Sequence, residues 1–362
     1  MALSRVPPAV EARGPGRVRV AGREYLYFGG CDYLGLATDT RVIEAARRGL
    51  ERQGLSASAS RTTSGEAREH LELEHELARA HGAPAALLTA DGYLAASVAL
   101  QGLAGGASRA LLDEGAHASL FDAARAAGLE TEPFPHLDLR ALDGRLRGGA
   151  PAVVLTDSVF PSRGEAVDVD GLVELTRRHG ATLVLDDCHA TGVLGARGLG
   201  SSEHPGVPGP GVIVVSTLSK ALGTFGGFVL GGTAEVARMR TRAQAYAGAT
   251  PVPAALAAAA SAALRLAFED AQLRTRLRAN VARLRAGLAQ LGIPVPALEH
   301  PVHALPAALG GEPARLAERL AQANLWVPRV RYLGDAEHLR LVVTAAHRDE
   351  HVDALLDVLA RA

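Results

Sequence analysis

The sequence predicts an α/β fold, a mostly parallel central sheet with helices on both faces, plus a smaller C-terminal α+β domain. Three observations carry this. Short apolar runs alternate with amphipathic helical patterns from about residue 38 to residue 250. Most of those runs are apolar throughout, as strands buried on both faces must be. Beyond residue 291 the pattern changes to shorter strand candidates and a closing helix. Strand–helix alternation favours a parallel sheet, and the change of pattern marks a second domain.

The strand-like runs, in order, are "AALLTA" (85–90), "SRALLD" (108–113), "PAVVLTD" (151–157), "ATLVLDD" (181–187), "GVIVVST" (211–217) and "GGFVLGG" (226–232). Helical patterns such as "EAREHLELEHELARAHG" and "VDGLVELTRRHG" alternate with them and end in Gly, a common helix stop. From Pro253 to Leu291 the pattern is helical with few breakers. Then come "VHALPAAL", "NLWVPRVRYL", "EHLRLVVTAA" and the helix "RDEHVDALLDVLARA". The expected division is an N-terminal segment over 1–35, a large domain over 36–265 and a small domain over 266–362.

The chain has 362 residues, a formal charge of −1, 48% hydrophobic and 21% charged residues. No block of like charge implies a nucleic-acid or membrane-surface partner. Cys31 and Cys188 make no disulfide framework, and a reducing compartment is the default. The N-terminus lacks the apolar core of a signal peptide, and no apolar stretch reaches spanning length, so a cytoplasmic protein is expected.

Lys220 is the only lysine in a chain with 38 Lys and Arg residues. Arg stays protonated and cannot serve as an amine nucleophile, whereas Lys can. Lys220 stands in "STLSKALGTFGG", just past an apolar run. Ligands of open α/β sheets bind at the carboxyl ends of the strands. There this chain places "DGY" (91–93), His117 in "DEGAHASL", Asp157, "DDCHATG" (186–192) and "STLSK". A metal centre in "DDCH" is disfavoured, because adjacent residues leaving one strand point in alternating directions. A Ser-x-x-Lys hydrolase is disfavoured because Thr217, not Ser, stands three before Lys220. An amine, a strand-end acid, two histidines and a helix N-terminus fit pyridoxal phosphate. That cofactor needs a Lys, a carboxylate for its pyridine nitrogen, and donors for its phosphate.

The matches "DYLGL", "HASL", "DDCHATGVLGARGLG" and "STLSKALG" together resemble the α-oxoamine synthases. These are fold-type-I pyridoxal-phosphate enzymes that include 8-amino-7-oxononanoate synthase and glycine C-acetyltransferase. The resemblance runs from "YLYFGGCDYLGLA" to "LRLVVTAAH". It implies that Lys220 forms the Schiff base, Asp186 pairs with the pyridine nitrogen and His189 hydrogen-bonds the ring hydroxyl. It implies that His117 stacks on the ring, and that Thr217 with the backbone at Gly92 and Tyr93 holds the phosphate. Arg340 matches the arginine for the substrate carboxylate, a partner suited to its planar fork. A homodimer with shared active sites is implied, with Thr250 as a phosphate ligand donated across the interface. The implied reaction is acyl transfer from an acyl-CoA to a small amino acid. The alternative is a pyridoxal-phosphate aminotransferase, racemase or decarboxylase on the same fold.

The chain departs from the family pattern where substrate would sit. Asp32 takes the place of an Asn before "YLGL" and would repel a carboxylate or attract a cationic arm. Pro161 replaces a Ser used near the cofactor, with Ser158 or Ser162 as substitutes. Asp157-Ser158 replaces Glu-Gly, and the loop that approaches the acyl chain is shortened to "RYLGD" (331–335).

Overall fold

The computed structural model describes residues 8–103, 106–149, 151–161, 164–306, 309, 312–331 and 336–361. Ser162 and most of the 331–335 loop lie outside the described residues. The chain divides into two units. One comprises residues 41–160 and 165–271; the other comprises 1–40, 161–164 and 272–362.

The larger unit is built on a seven-stranded sheet. Its strands are β1 (Ala85–Thr89), β2 (Arg109–Asp113), β3 (Glu130–Phe134), β4 (Ala152–Asp157), β5 (Thr182–Asp186), β6 (Val212–Thr217) and β7 (Gly227–Gly231). Their spatial order is β1-β7-β6-β5-β4-β2-β3. All pairs are parallel except those of β7, which runs antiparallel to both neighbours. The six apolar runs are all strands. β3 was not visible as a run because it is an edge strand, "ETEPF", whose side chains are mostly partly exposed. Such an edge needs no continuous apolar stretch, and it tolerates Pro133.

The helix Gly92–Leu103 crosses the sheet with Ala95, Ala96, Val98, Ala99 and Leu100 buried. Its small residues let neighbours approach closely. A Cβ on Gly102 would lie 2.2 Å from Met239 Cγ.

A buried ionic cluster ties this unit together near β1. Glu74, on the helix Arg68–His81, accepts from Arg61 Nη1 (2.6 Å), Arg240 Nη2 (2.6 Å) and the Leu88 backbone N–H (2.8 Å). Arg61 also pairs with Glu66 at 2.7 Å. Removing one member leaves an uncompensated buried charge. Glu74→Ala is therefore expected to destabilise the protein by about 3–5 kcal/mol in denaturant titration. A loss below about 1 kcal/mol, the scale of a surface pair, would show that the cluster is not integral to the fold.

The smaller unit holds two sheets. The N-terminal strands Val10–Ala12, Arg17–Val20 and Arg23–Tyr27 form a meander, and Leu325–Trp326 adds in parallel beside the last of them. Residues expected to stand as a separate N-terminal segment thus pair with the C-terminal part. The second sheet is Val302–Ala304, His338–Val342 and Arg329–Val330. Asn280 donates to the carbonyls of Thr344 and His347, both at 2.8 Å, and fixes the turn after His338–Val342. The helical stretch from Pro253 resolves into Ala254–Glu269 and Ala271–Gln290, and the division between units falls at 271–272. Among the described residues, no helix is long and apolar enough to cross a membrane.

Candidate active site

The sheet brings the polar strand ends of the larger unit to one edge. Asp186 closes β5, is 6% exposed, and accepts from the Cys188 N–H at 2.9 Å. His189 follows, half-buried. Thr217 closes β6, and its hydroxyl lies 2.8 Å from that of Ser219 and donates to the Gly226 carbonyl. Lys220 is half-buried, held in a turn in which the Gly223 N–H donates to its carbonyl.

Gly92 and Tyr93 open the helix Gly92–Leu103, capped by Asp91, whose Oδ1 accepts from the Leu94 N–H at 2.8 Å. First-turn N–H groups have no intrahelical partner and favour an anion. Thr217 stands against this turn: a Cβ on Gly92 would lie 2.8 Å from Thr217 Cβ and 2.9 Å from its Oγ1. Only glycine allows that approach. Helix N-terminus and hydroxyl form a cradle suited to a phosphate.

His117 caps the helix Ala118–Ala126 and is exposed, with its ring 6.1 Å from that of Tyr93 at 80°. Thr250 is exposed and borders a small pocket with Arg61, Thr89 and Ala90, just before the phosphate cradle.

Ser158 was expected as a possible hydroxyl for the cofactor. Its Oγ instead donates to Asp187 Oδ1 at 2.6 Å. Asp187 is fully buried and also accepts from the Thr191 hydroxyl and the Ser201 N–H. It is a structural anchor beneath the site. Burial pushes the Cys188 thiol well up, with the Asp186 charge adding to this, so Cys188 stays protonated and serves as packing.

Asp157 was noticed in the sequence as a strand end but not assigned to the site. It is 7% exposed and sits in register with Asp186 on the neighbouring strand. Its Oδ2 accepts from the His117 N–H at 2.7 Å. Burial, and then the Asp186 charge, push its carboxyl well above the usual range. The available signal was the shared position of "TD" and "LD" at the ends of adjacent apolar runs.

Arg340 and Asp32 belong to the smaller unit. Arg340 is 6% exposed; its Nη1 donates to the Gly30 carbonyl (3.2 Å) and its Nη2 to Cys31 Sγ (3.6 Å). Asp32 turns its carboxylate back on its own chain, accepting from the N–H groups of Leu36 (2.9 Å) and Ala37 (3.2 Å). Burial nevertheless pushes it up to about 6. A raised acid contributes its full stability below the ordinary carboxylate pKa and loses it as pH rises through the folded value. Asp32→Asn is thus expected to be more stable than wild type at pH 8, by about 1–2 kcal/mol. The gap should close as pH falls below about 5. Melting curves across that range check this, and an Asn variant melting lower at pH 8 contradicts it.

These residues fit pyridoxal phosphate: a single amine, a buried carboxylate, a helix N-terminus with a hydroxyl, and a histidine beside it. The comparisons agree. The aminotransferase class I and II family model matches residues 23–359. The 8-amino-7-oxononanoate synthase of Methylococcus capsulatus is 38% identical, over 98% of this chain and 93% of its own. That of Thioalkalivibrio sulfidiphilus is also 38% identical, over 99% of this chain and 93% of its own. A serine palmitoyltransferase from S. paucimobilis, solved with pyridoxal phosphate and myriocin bound, superposes with a TM-score of 0.90. It is 25% identical and covers 98% of this chain and 92% of its own. With the amine, the carboxylate and the phosphate cradle on one sheet edge, the chain belongs to the aminotransferase class I and II family, as a pyridoxal-phosphate-dependent transferase of the α-oxoamine synthase group.

Proposed function

We propose that this enzyme condenses a small amino acid with an acyl thioester of coenzyme A to give an α-amino ketone. The observation that carries this is the 38% identity, over nearly the whole chain, to 8-amino-7-oxononanoate synthases. That product divides, between its carbonyl carbon and its amine-bearing carbon, into a dicarboxylic acyl group and the amine that alanine leaves on losing its carboxylate.

Bound pyridoxal phosphate supplies an electron sink for a carbanion at the substrate Cα. The chain supplies the rest. Lys220 Nζ would hold the cofactor and would move the proton at the substrate Cα. Asp186 would hold the proton on the pyridine nitrogen, and His189 would hydrogen-bond the ring hydroxyl. Thr217 and the backbone N–H groups at Gly92 and Tyr93 would bind the phosphate, with Thr250 offered to a second copy. His117 would cover the ring face. Arg340 would hold the substrate carboxylate through its guanidinium. Arg340→Ala is expected to raise the amino-acid KM by about 10- to 100-fold, the worth of a charge-assisted pair. Cofactor affinity should change little, and an unaltered KM would place the carboxylate elsewhere.

A cytoplasmic homodimer is part of this reading. Ile43, Leu50, Leu55 and Leu71 are exposed on the larger unit, and Leu55 is 80% exposed. A second copy packed on this unit would cover such side chains.

The test is release of free thiol from purified enzyme given alanine and a dicarboxylic acyl-CoA. A parallel arm uses serine and palmitoyl-CoA, since the superposition on serine palmitoyltransferase at TM-score 0.90 favours that second reading. Thiol in neither arm, with keto acid or Cα–H exchange instead, would replace acyl transfer by transamination or racemisation.

A further inference from the structure

Asp157 is a buried acid that the mechanism above does not use. It ends β4 as Asp186 ends β5, and the two are register partners on adjacent parallel strands. Paired residues of neighbouring strands project from the same face of a sheet. Both residues are more than nine-tenths buried. Like charges so placed do not both ionise cheaply.

The groups facing Asp157 decide which acid keeps its proton. Asp186 on β5 and Asp113 on β2 both repel its charge; Lys220, after β6, attracts it. Asp113 is compensated by three partners: the N–H groups of Gly115 (2.8 Å) and Leu137 (2.9 Å), and His136 Nδ1 at 2.6 Å. Asp157 receives one backbone N–H, from His117.

We propose that Asp157 is a positioning residue of the cofactor site, an uncharged acid that holds the His117 backbone and leaves Asp186 as the anion available to the pyridine nitrogen. His117 is the N-cap of the helix Ala118–Ala126 and accepts the Ser119 N–H through Nδ1. The Asp157–His117 bond therefore sets where the imidazole stands. An ionised Asp157 would hold the same bond. It would also add a second negative charge beside Asp186 and spread the cation's attraction over two acids. The burial and charge that raise its carboxyl favour the neutral form.

The role presumes that Asp186 serves the ring nitrogen, so the first readout uses the apoprotein and is independent of that assignment. Infrared spectra of wild type at pH 7.5 are expected to contain a protonated-carboxyl C=O band that Asp157→Asn lacks. Carboxylic-acid bands identical in the two proteins would overturn the proposal. Asn is isosteric with a neutral acid, so Asp157→Asn should also melt within a few degrees of wild type; failure to fold would count equally against neutrality. The second readout is cofactor affinity, titrated by the visible absorbance that develops when apoprotein takes up pyridoxal phosphate. Asp157→Ala, which removes the acceptor for His117, is expected to bind at least about fivefold more weakly than Asp157→Asn, the worth of one hydrogen bond. Equal affinities for the two variants would remove the positioning role even if the infrared result held.

Discussion

Lys220→Ala is expected to lower turnover by about 10^4-fold or more, the scale of losing a covalent and proton-transferring group together. The visible absorbance of bound cofactor should vanish with it. Lys220→Arg should fare no better. It keeps the positive charge, but a guanidinium is not deprotonated at any pH the protein tolerates. The comparison of the two variants therefore separates the need for a cation from the need for an amine. Because Lys220 is the chain's only lysine, the chemistry has a simple covalent readout. A lysine-specific protease cuts the native chain at one place, and borohydride fixation of the cofactor should abolish that cut. A cofactor-loaded, reduced protein that is still cleaved there, or an arginine variant with wild-type turnover, would show that the amine lies on no part of the reaction path.

Asp186→Asn should produce the next largest loss. Asn keeps the shape and can still accept the Cys188 N–H that Asp186 accepts at 2.9 Å. It cannot supply a negative charge to a protonated ring nitrogen. The electron sink then weakens while most cofactor contacts persist. Turnover is expected to fall by about 10^2- to 10^3-fold, comparable to removing one preorganised electrostatic partner from a reacting group. Cofactor should remain partly bound, and the amino-acid KM should move by much less than kcat. Near-normal turnover would mean that the ring nitrogen needs no anionic partner here, or that Asp157 takes the charge when Asp186 is neutral. The Asp157→Asn, Asp186→Asn double variant distinguishes these: it falls further only in the second case.

The readable parts of this protein were those with a local signature. Buried parallel strands must be apolar on both faces, so six of the seven sheet strands announced themselves. β3 did not, because an edge strand with partly exposed side chains has no need of an apolar run. The N-terminal meander was hidden for a related reason. Its strands are short, and one of its partners, Leu325–Trp326, lies some three hundred residues away. The proposed site residues Lys220, Asp186, Thr217 and Gly92 could be singled out from the sequence because each sits at or near a strand end or a helix start, where backbone direction alone fixes which edge it faces.

What the residue pattern determined by itself was the α/β class, the amine and the acid at the strand ends, and hence the cofactor's chemistry. Tertiary structure decided which polar groups are held by one another. Only the folded chain shows Ser158 committed to Asp187, Asp32 folded back on Leu36 and Ala37, Glu74 joining Arg61 to Arg240, and Asp157 set beside Asp186. Apolar periodicity follows from burial, which each segment encodes independently. Hydrogen-bond and charge partners depend on strand order and register, which no single segment contains.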